Sequence, residues 1–128
     1  MGEQRTFASI AWRQKGKTTR RERFLAEMDA VVPWARLVAL IEPDYPKGSH
    51  GRPPLGLETM LRIYFLQQWF HLSDPQAEDA IYDSESMRRF ARVELSHDVV
   101  PDETTLLVEK QWLRKAGTIV DATIIELP

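Results

Sequence analysis

A single carboxylate, Asp121, lies within a run of apolar and β-branched residues near the end of the chain. The run, over residues 118–125, has the composition of a β-strand, and apolar side chains fall on both of its faces. Hard divalent cations such as Mg²⁺ take carboxylate oxygens, so a metal ligand is one interpretation of Asp121. The other is an exposed side chain on a frayed strand, and local chemistry alone favours that second interpretation.

The other candidate residues are basic, and the chemistry they suit is the neutralisation of phosphate. Residues 1–26 hold seven basic side chains and two acidic ones, although the whole chain has a net charge of −2. A basic arm on an acidic body indicates a polyanionic partner, and a solvated tail explains the charge equally well. The candidate DNA-binding residues are Arg13, Lys15, Lys17, Arg20, Arg21, Arg23, Lys47, Arg52, Arg88, Arg89 and Arg92.

The elements that position these residues are predicted to be helices almost throughout, so we expect a mainly α fold. Apolar residues at three-and-four spacing predict helices from Thr18 or Thr19 to about residue 32, from 33 to 41 and from 57 to 70. The third of these is the most apolar, and we interpret its aromatic stripe as core. A capping box at residues 73–76 begins a further helix, a short basic helix starts near residue 86, and Asp102 caps a last one.

Two groups of the basic candidates have structural alternatives. Lys47 and Arg52 lie in a loop rich in proline and glycine, for which a plain surface connection is the favoured interpretation. The three arginines at 88, 89 and 92 are expected on the outward side of a short helix, where a helix-turn-helix would present them to DNA. They would equally form a solvated face that pairs with Glu85 and Glu94.

Composition excludes several classes of protein. Hydrophobic residues make up 43% of the chain and charged residues 28%, which is typical of a soluble globular domain. No stretch reaches the roughly 18 uncharged apolar residues of a membrane span. The chain has no cysteine, so disulfides and thiolate metal sites are excluded and the cytoplasm is the expected compartment.

Short motifs follow one another along nearly the whole chain. They are RRERFL at 20–25, VPW at 32–34, IEP at 41–43 with YP at 45–46, GRPP at 51–54, MLRIY at 60–64, SMRRF at 86–90, PDETT at 101–105 and GTIVDAT at 117–123. In this order they resemble the insertion-sequence transposases of the DDE class that have an InsH-type N-terminal domain.

The resemblance implies a helical domain that binds the terminal inverted repeats of a mobile element, followed by an RNase-H-like catalytic domain. In that family two Asp and one Glu hold two Mg²⁺ or Mn²⁺ ions, which activate the nucleophile and stabilise the leaving oxygen of the phosphodiester. Asp121 matches the first of these carboxylates by position and local motif. The resemblance therefore assigns it as a catalytic metal ligand that bridges both ions.

The chain departs from the family pattern in two places. Residues 106–116 replace a longer helical segment, and the second Asp and the Glu have no counterpart before Pro128. Glu126 is no substitute, because five residues along a strand place it on the face opposite Asp121. We therefore expect a truncated, internally deleted copy that binds no ion stably and cleaves no DNA, which a Mg²⁺-dependent assay on inverted-repeat DNA tests.

The sequence thus predicts a basic arm over 1–23, a helical bundle-like DNA-binding domain over 24–105, a shortened helical linker over 106–116 and the first strand of a truncated RNase-H-like domain over 117–128. The expected partners are inverted-repeat DNA and a second copy or an intact transposase, with no membrane. Two alternatives stay open: a DNA-binding inhibitor of an intact transposase, and a helical remnant without function.

Overall fold

Helices account for the regular structure of this chain, as its sequence predicts. The computed structural model describes residues 7–44, 56–111 and 113, and contains no strand within them. The helices are α1 (Phe7–Gln14), α2 (Arg20–Val31), α3 (Trp34–Ile41) with a 3-10 turn after it (Glu42–Asp44), α4 (Leu57–Phe70), α5 (Asp74–Asp83) and α6 (Glu85–Ala91), then α7 over residues 103–111. The predicted mainly α fold is confirmed, and the predicted strand over 117–128 lies outside the described residues.

The residues just before three helices determine where those helices begin. Thr19 accepts a hydrogen bond from the backbone N–H of Glu22, whose carboxylate accepts one from the N–H of Thr19. Ser73 and Gln76 form the same reciprocal capping box on α5, as predicted. Ser84 caps α6 through its hydroxyl alone, which accepts a hydrogen bond from the N–H of Met87. Each cap satisfies N–H groups that have no partner inside the helix, so these boundaries follow from local sequence.

The first helix, α1, lies in the region predicted to be a basic arm, residues 1–23, for which no helix is predicted before Thr18. A helix of eight residues is too short to be stable in isolation. Contacts with the rest of the fold stabilise it: Trp12 packs against Arg89, and Lys15, directly after the helix, bonds to Glu22. The last residues of the arm, from Arg20, belong to α2, whose start agrees with the cap predicted at Thr18 or Thr19.

The hydrophobic core is built around α4, half of whose 14 residues are buried. Its rings at Phe65 and Trp69 contact Trp34 of α3 and Phe90 of α6, with centroids 5.3 and 5.7 Å apart respectively. The aromatic stripe of α4 is therefore core, as predicted. α6 packs against α2, α4 and α5. No helix in the described part of the chain is long and apolar enough to cross a membrane.

A buried charge, the guanidinium of Arg62, lies inside this core and is only 1% exposed. Its Nη1 donates to the carbonyl oxygen of Phe90 at 3.0 Å. Its Nε and Nη2 donate to Glu58 and Asp29 at 2.9 and 2.8 Å. The guanidinium also lies 4.3 Å from the ring centroid of Trp34. Arg62 therefore links α2, α4 and α6, and each of its three guanidinium nitrogens has a hydrogen-bond partner. A buried charge needs such partners.

The last described helix, α7, belongs to the same core. Asp102 accepts a hydrogen bond at its first turn, as predicted. Leu106 and Leu113 are buried in the core cluster, and Lys110 Nζ donates to Asp74 of α5 at 3.0 Å. The helix runs without a break across the predicted boundary between residues 105 and 106.

α4 and α6 both end on a left-handed residue that is not glycine. His71 has φ 54° and Arg92 has φ 65°. In both cases the residue that follows donates its N–H to a carbonyl five residues earlier, as Leu72 does to Gln67 at 3.0 Å. This is the Schellman arrangement, in which glycine is the usual residue because a Cβ is strained there.

Replacing His71 by glycine is expected to raise the free energy of unfolding by about 0.5–1 kcal/mol, because it removes the Cβ strain at an exposed position. Urea unfolding followed by circular dichroism measures the change. His71→Ala is the matched control: it also removes the imidazole but keeps the Cβ, so it should bring no gain. Equal stability of the two variants would contradict this account.

Candidate nucleic-acid interface

An open cleft of about 990 Å³ lies between α1, the loop after it, the first turn of α2 and the start of α6. Five of the residues that line it are cations, namely Lys15, Lys17, Arg20, Arg21 and Arg23. All five belong to the predicted DNA-binding set, so the fold brings these candidates together on one concave surface.

Three of these cations occupy the first turn of α2, where the helix dipole opposes them. The N-terminus of a helix carries partial positive charge and favours acidic side chains. α2 instead places Arg20, Arg21 and Arg23 there, with Glu22 as the acidic residue of that turn. The three arginines are exposed, and no carboxylate of the described residues pairs with them. Cations at this end of a helix cost local stability, so the folding of α2 does not by itself explain them.

Two carboxylates also line the cleft, and both are occupied by cations of the fold. Glu22 accepts a hydrogen bond from Lys15 Nζ at 2.5 Å. Glu85 forms ion pairs with Arg88 and Arg89. Five cations against two carboxylates leave the lining of the cleft with a net positive charge.

The Lys15 contact also affects the titration of Glu22. The hydrogen bond from Lys15 holds the pKa of the Glu22 carboxyl below its ordinary value of 4.5; partial desolvation opposes this, and the backbone N–H of Thr19 lowers the pKa further. A carboxyl whose folded pKa is depressed contributes stability above its unfolded pKa. That contribution is lost as the pH falls from 4.5 through the folded pKa.

We therefore expect Glu22→Gln to be less stable than the wild type at neutral pH, and the gap to close below about pH 4.5. Urea unfolding at a series of pH values from about 7 to about 3 measures that gap. Glu27→Gln, an exposed substitution on the same helix, is the control and should show a small gap at every pH. A Glu22→Gln gap that does not change with pH would contradict the assignment.

Trp12, on the wall of the cleft, contacts two cations. Lys15 Nζ lies 4.4 Å and the Arg89 guanidinium 5.2 Å from its ring centroid. The contact with Arg89 attaches α1 to α6. Trp12 is not among the predicted site residues. Its position beside Arg13 and close to Lys15 nevertheless fits the interleaving of aromatic and basic residues in nucleic-acid-binding surfaces.

Arg88 does not project outward, and the prediction that it does is wrong. Its Nη1 donates to the carbonyl oxygens of Ile81 and Tyr82 at 2.9 and 2.8 Å, and its Nη2 pairs with Glu85. The side chain is 12% exposed. The last carbonyls of α5 have no partner inside their own helix, and Arg88 satisfies two of them. It is a structural residue.

Arg89 and Arg92 are the exposed arginines of this region, at 40% and 59% of their side-chain surface. The contact of Arg89 with Glu85 is long, at 3.5 Å. Arg92 lies 3.7 Å from Asp29 and 3.9 Å from Glu58. Neither guanidinium donates short hydrogen bonds to backbone carbonyls as that of Arg88 does. Both are therefore accessible to a ligand from solution.

The pair α5 and α6 does not have the layout of a helix-turn-helix reader. Only Ser84 separates the two helices, whereas that motif uses a turn of about three or four residues. α6 has seven residues and packs against three other helices. The structure therefore does not support the helix-turn-helix interpretation.

Several predicted site residues lie outside the described residues, namely Lys47, Arg52 and Asp121. Arg13 belongs to α1, but its side chain is not described. Within residues 7–44 and 56–113, as far as they are described, no group of three or more His, Cys, Asp or Glu side chains is placed to hold a metal ion.

The fold and the cleft define a small helical domain with a cationic concave surface. Residues 13–111 match the model of the family described as Transposase domain (DUF772). The match includes α2 to α7 and the loop that lines the cleft. The chain belongs to this transposase-domain family, so it is related to the proteins of mobile elements, as its motifs predict. No solved structure matches it.

Proposed function

We propose that this domain binds duplex DNA at the terminal inverted repeats of its mobile element, in the cytoplasm. The observation that carries the proposal is the concentration of Arg20, Arg21 and Arg23 at the N-terminus of α2, beside Lys15 and Lys17, on one concave surface. Their field adds to that of the helix dipole, and a polyanion is the partner that such a surface favours.

The role of the cleft in this proposal is to contact phosphates. Arginine guanidinium groups bind phosphate oxygens through two parallel hydrogen bonds, and lysines act as point charges. Such contacts position a protein on the duplex but carry no sequence information directly. The cleft therefore supplies affinity and orientation, and we assign no base-reading helix. A mobile element has two ends, so two copies of the domain, or one copy with an intact transposase, form the proposed complex.

The catalytic part of transposition rests on the sequence resemblance at Asp121. A two-ion site of the kind that cleaves phosphodiesters needs several carboxylates that hold Mg²⁺ or Mn²⁺. The described residues supply no such group, and we derive no catalytic step from them. DNA binding, and not metal-dependent cleavage, is the activity that we propose for these 128 residues.

A fluorescence-anisotropy titration over a series of salt concentrations tests the proposal. One duplex carries the inverted repeat, and a second has the same composition in scrambled order. With four cleft cations besides the paired Lys15, we expect log Kd to rise with log salt at a slope of about 4, and the repeat to bind more tightly. No binding at about 50 mM salt, or a slope near zero, would contradict DNA binding, and equal affinities would contradict the inverted repeat as the target.

A further inference from the structure

Arg92 combines two properties that the packing of the core does not require. It ends α6 in the left-handed conformation, with φ 65° and ψ 39°, which glycine adopts without strain. Its side chain is nevertheless long, charged and 59% exposed. His71 shares this conformation and is also exposed, so the conformation alone assigns no function. What distinguishes Arg92 is an exposed positive charge on the helix whose first residues line the cleft.

The nearest charged groups do not hold the Arg92 guanidinium. Its nitrogens lie 3.7 Å from Asp29 Oδ1 and 3.9 Å from Glu58 Oε2, which is longer than a hydrogen bond. The same two carboxylates accept hydrogen bonds at 2.8 and 2.9 Å from the buried Arg62. Arg92 can therefore turn to another anion while both carboxylates keep their buried partner.

Arg92 lies at the end of α6 opposite the residues that line the cleft. α6 packs against α2, and its first residues, Glu85 and Ser86, line the cleft. From there to Arg92 the helix rises about 10 Å, which corresponds to about three nucleotides along one DNA strand. Arg89, which is exposed and contacts Trp12, lies on α6 between the cleft residues and Arg92.

We propose that Arg92 is a phosphate-binding residue that extends the DNA interface from the cleft along α6, and that its left-handed conformation is retained for this contact. The ligand is the sugar–phosphate backbone of duplex DNA. This inference rests on the proposed function, because it assigns a second part of the same interface.

The test is Arg92→Gly, which keeps the left-handed backbone and removes the guanidinium. His71→Gly is the matched control, since it makes the same backbone change at the other left-handed cap. Arg92→Gly should unfold at the same or a higher urea concentration than the wild type. It should bind DNA roughly three- to ten-fold more weakly at about 100 mM salt, with a salt slope lower by about one. His71→Gly should keep the wild-type affinity, and Arg92→Lys should keep the salt slope.

Unchanged affinity and slope in Arg92→Gly would overturn the inference, and wild-type binding in the same assay would leave the proposed function standing. Failure of the wild type to bind would overturn both. Should Arg92→Gly be unstable, Arg92→Asn is the second variant, because asparagine tolerates the left-handed region and carries no charge. Loss of stability in both variants would assign Arg92 to the fold and overturn the inference.

Discussion

Reversal of Arg20, Arg21 and Arg23 together to glutamate is expected to weaken DNA binding by about 100- to 1,000-fold at about 100 mM salt. Each phosphate contact contributes about 0.9 to the slope of log Kd against log salt, so the loss of three contacts removes about 2.7. The new carboxylates also repel phosphate. Anisotropy titrations of the wild type and the variant on one duplex, over the same salt series, measure both quantities.

This triple variant should remain folded, which makes the binding result interpretable. Glutamate in the first turn of α2 interacts favourably with the helix dipole, by about 0.3–1 kcal/mol for each residue. Two losses oppose this gain. One is the contact of the Arg21 guanidinium with the Phe70 ring, 5.3 Å from its centroid, and the other is repulsion between the new carboxylates and Glu22. We expect an unfolding midpoint in urea close to that of the wild type, which circular dichroism checks.

Single reversals provide a control with equal net charge. Arg20→Glu changes the cleft, whereas Arg36→Glu changes an exposed cation of α3, outside the residues that line the cleft. Arg20→Glu should weaken DNA binding and lower the salt slope by about one, and Arg36→Glu should change neither appreciably. Equal losses from the two variants would mean that overall charge, and not the cleft, governs binding.

Replacement of Arg62 by alanine is expected to lower the free energy of unfolding by about 3–4 kcal/mol. The carbonyl oxygen of Phe90 would lose its donor inside the core, which costs about 1–3 kcal/mol. The missing side chain would also leave a cavity between Trp34 and Phe90, whose rings the guanidinium contacts. Urea unfolding measures the loss.

The two carboxylates that bond to Arg62 add little to this cost. Asp29 and Glu58 are 44% and 38% exposed, so water can solvate them when the guanidinium is removed. For this reason we set the expected loss in the lower part of the range for breaking a fully buried ion pair.

Two further variants identify the cause of the loss. Arg62→Met refills most of the volume but cannot donate to Phe90, so it should be less destabilising than Arg62→Ala and still less stable than the wild type. Arg36→Ala, at an exposed arginine, should stay within about 0.5 kcal/mol of the wild type. A loss below about 1 kcal/mol in Arg62→Ala would show that the network around Arg62 contributes little to stability.

Sequence patterns were sufficient to predict the helices that are defined by local features, namely a cap or an apolar stripe. The stripe of α4 predicted residues 57–70, which are the bounds observed. The capping box of Ser73 and Gln76 was read directly from the chain, as was the cap at Asp102. α1 was not predicted because the contacts that stabilise it are not local in sequence. Trp12 packs against Arg89, which belongs to α6.

The roles of the arginines could not be read from their spacing. Arg88 and Arg89 are neighbours in a basic helix, yet Arg88 bonds to the end of α5 and Arg89 stays exposed. Arg62 lies in an apolar stripe that it interrupts, and its buried role depends on Asp29 and Phe90, which other helices bring to it. The assignment of Asp121 as a metal ligand stays a prediction from resemblance.

The sequence by itself determined a helical transposase-family domain with a surplus of positive charge at its start. Helix caps, apolar periodicity and net charge act within a few residues or do not depend on geometry, so they are visible in the chain. Only the tertiary structure decided which cations form a binding surface. The exposure of a guanidinium depends on which carbonyls and carboxylates distant helices place around it, and these separate Arg20 and Arg92 at the surface from Arg62 and Arg88 within the fold.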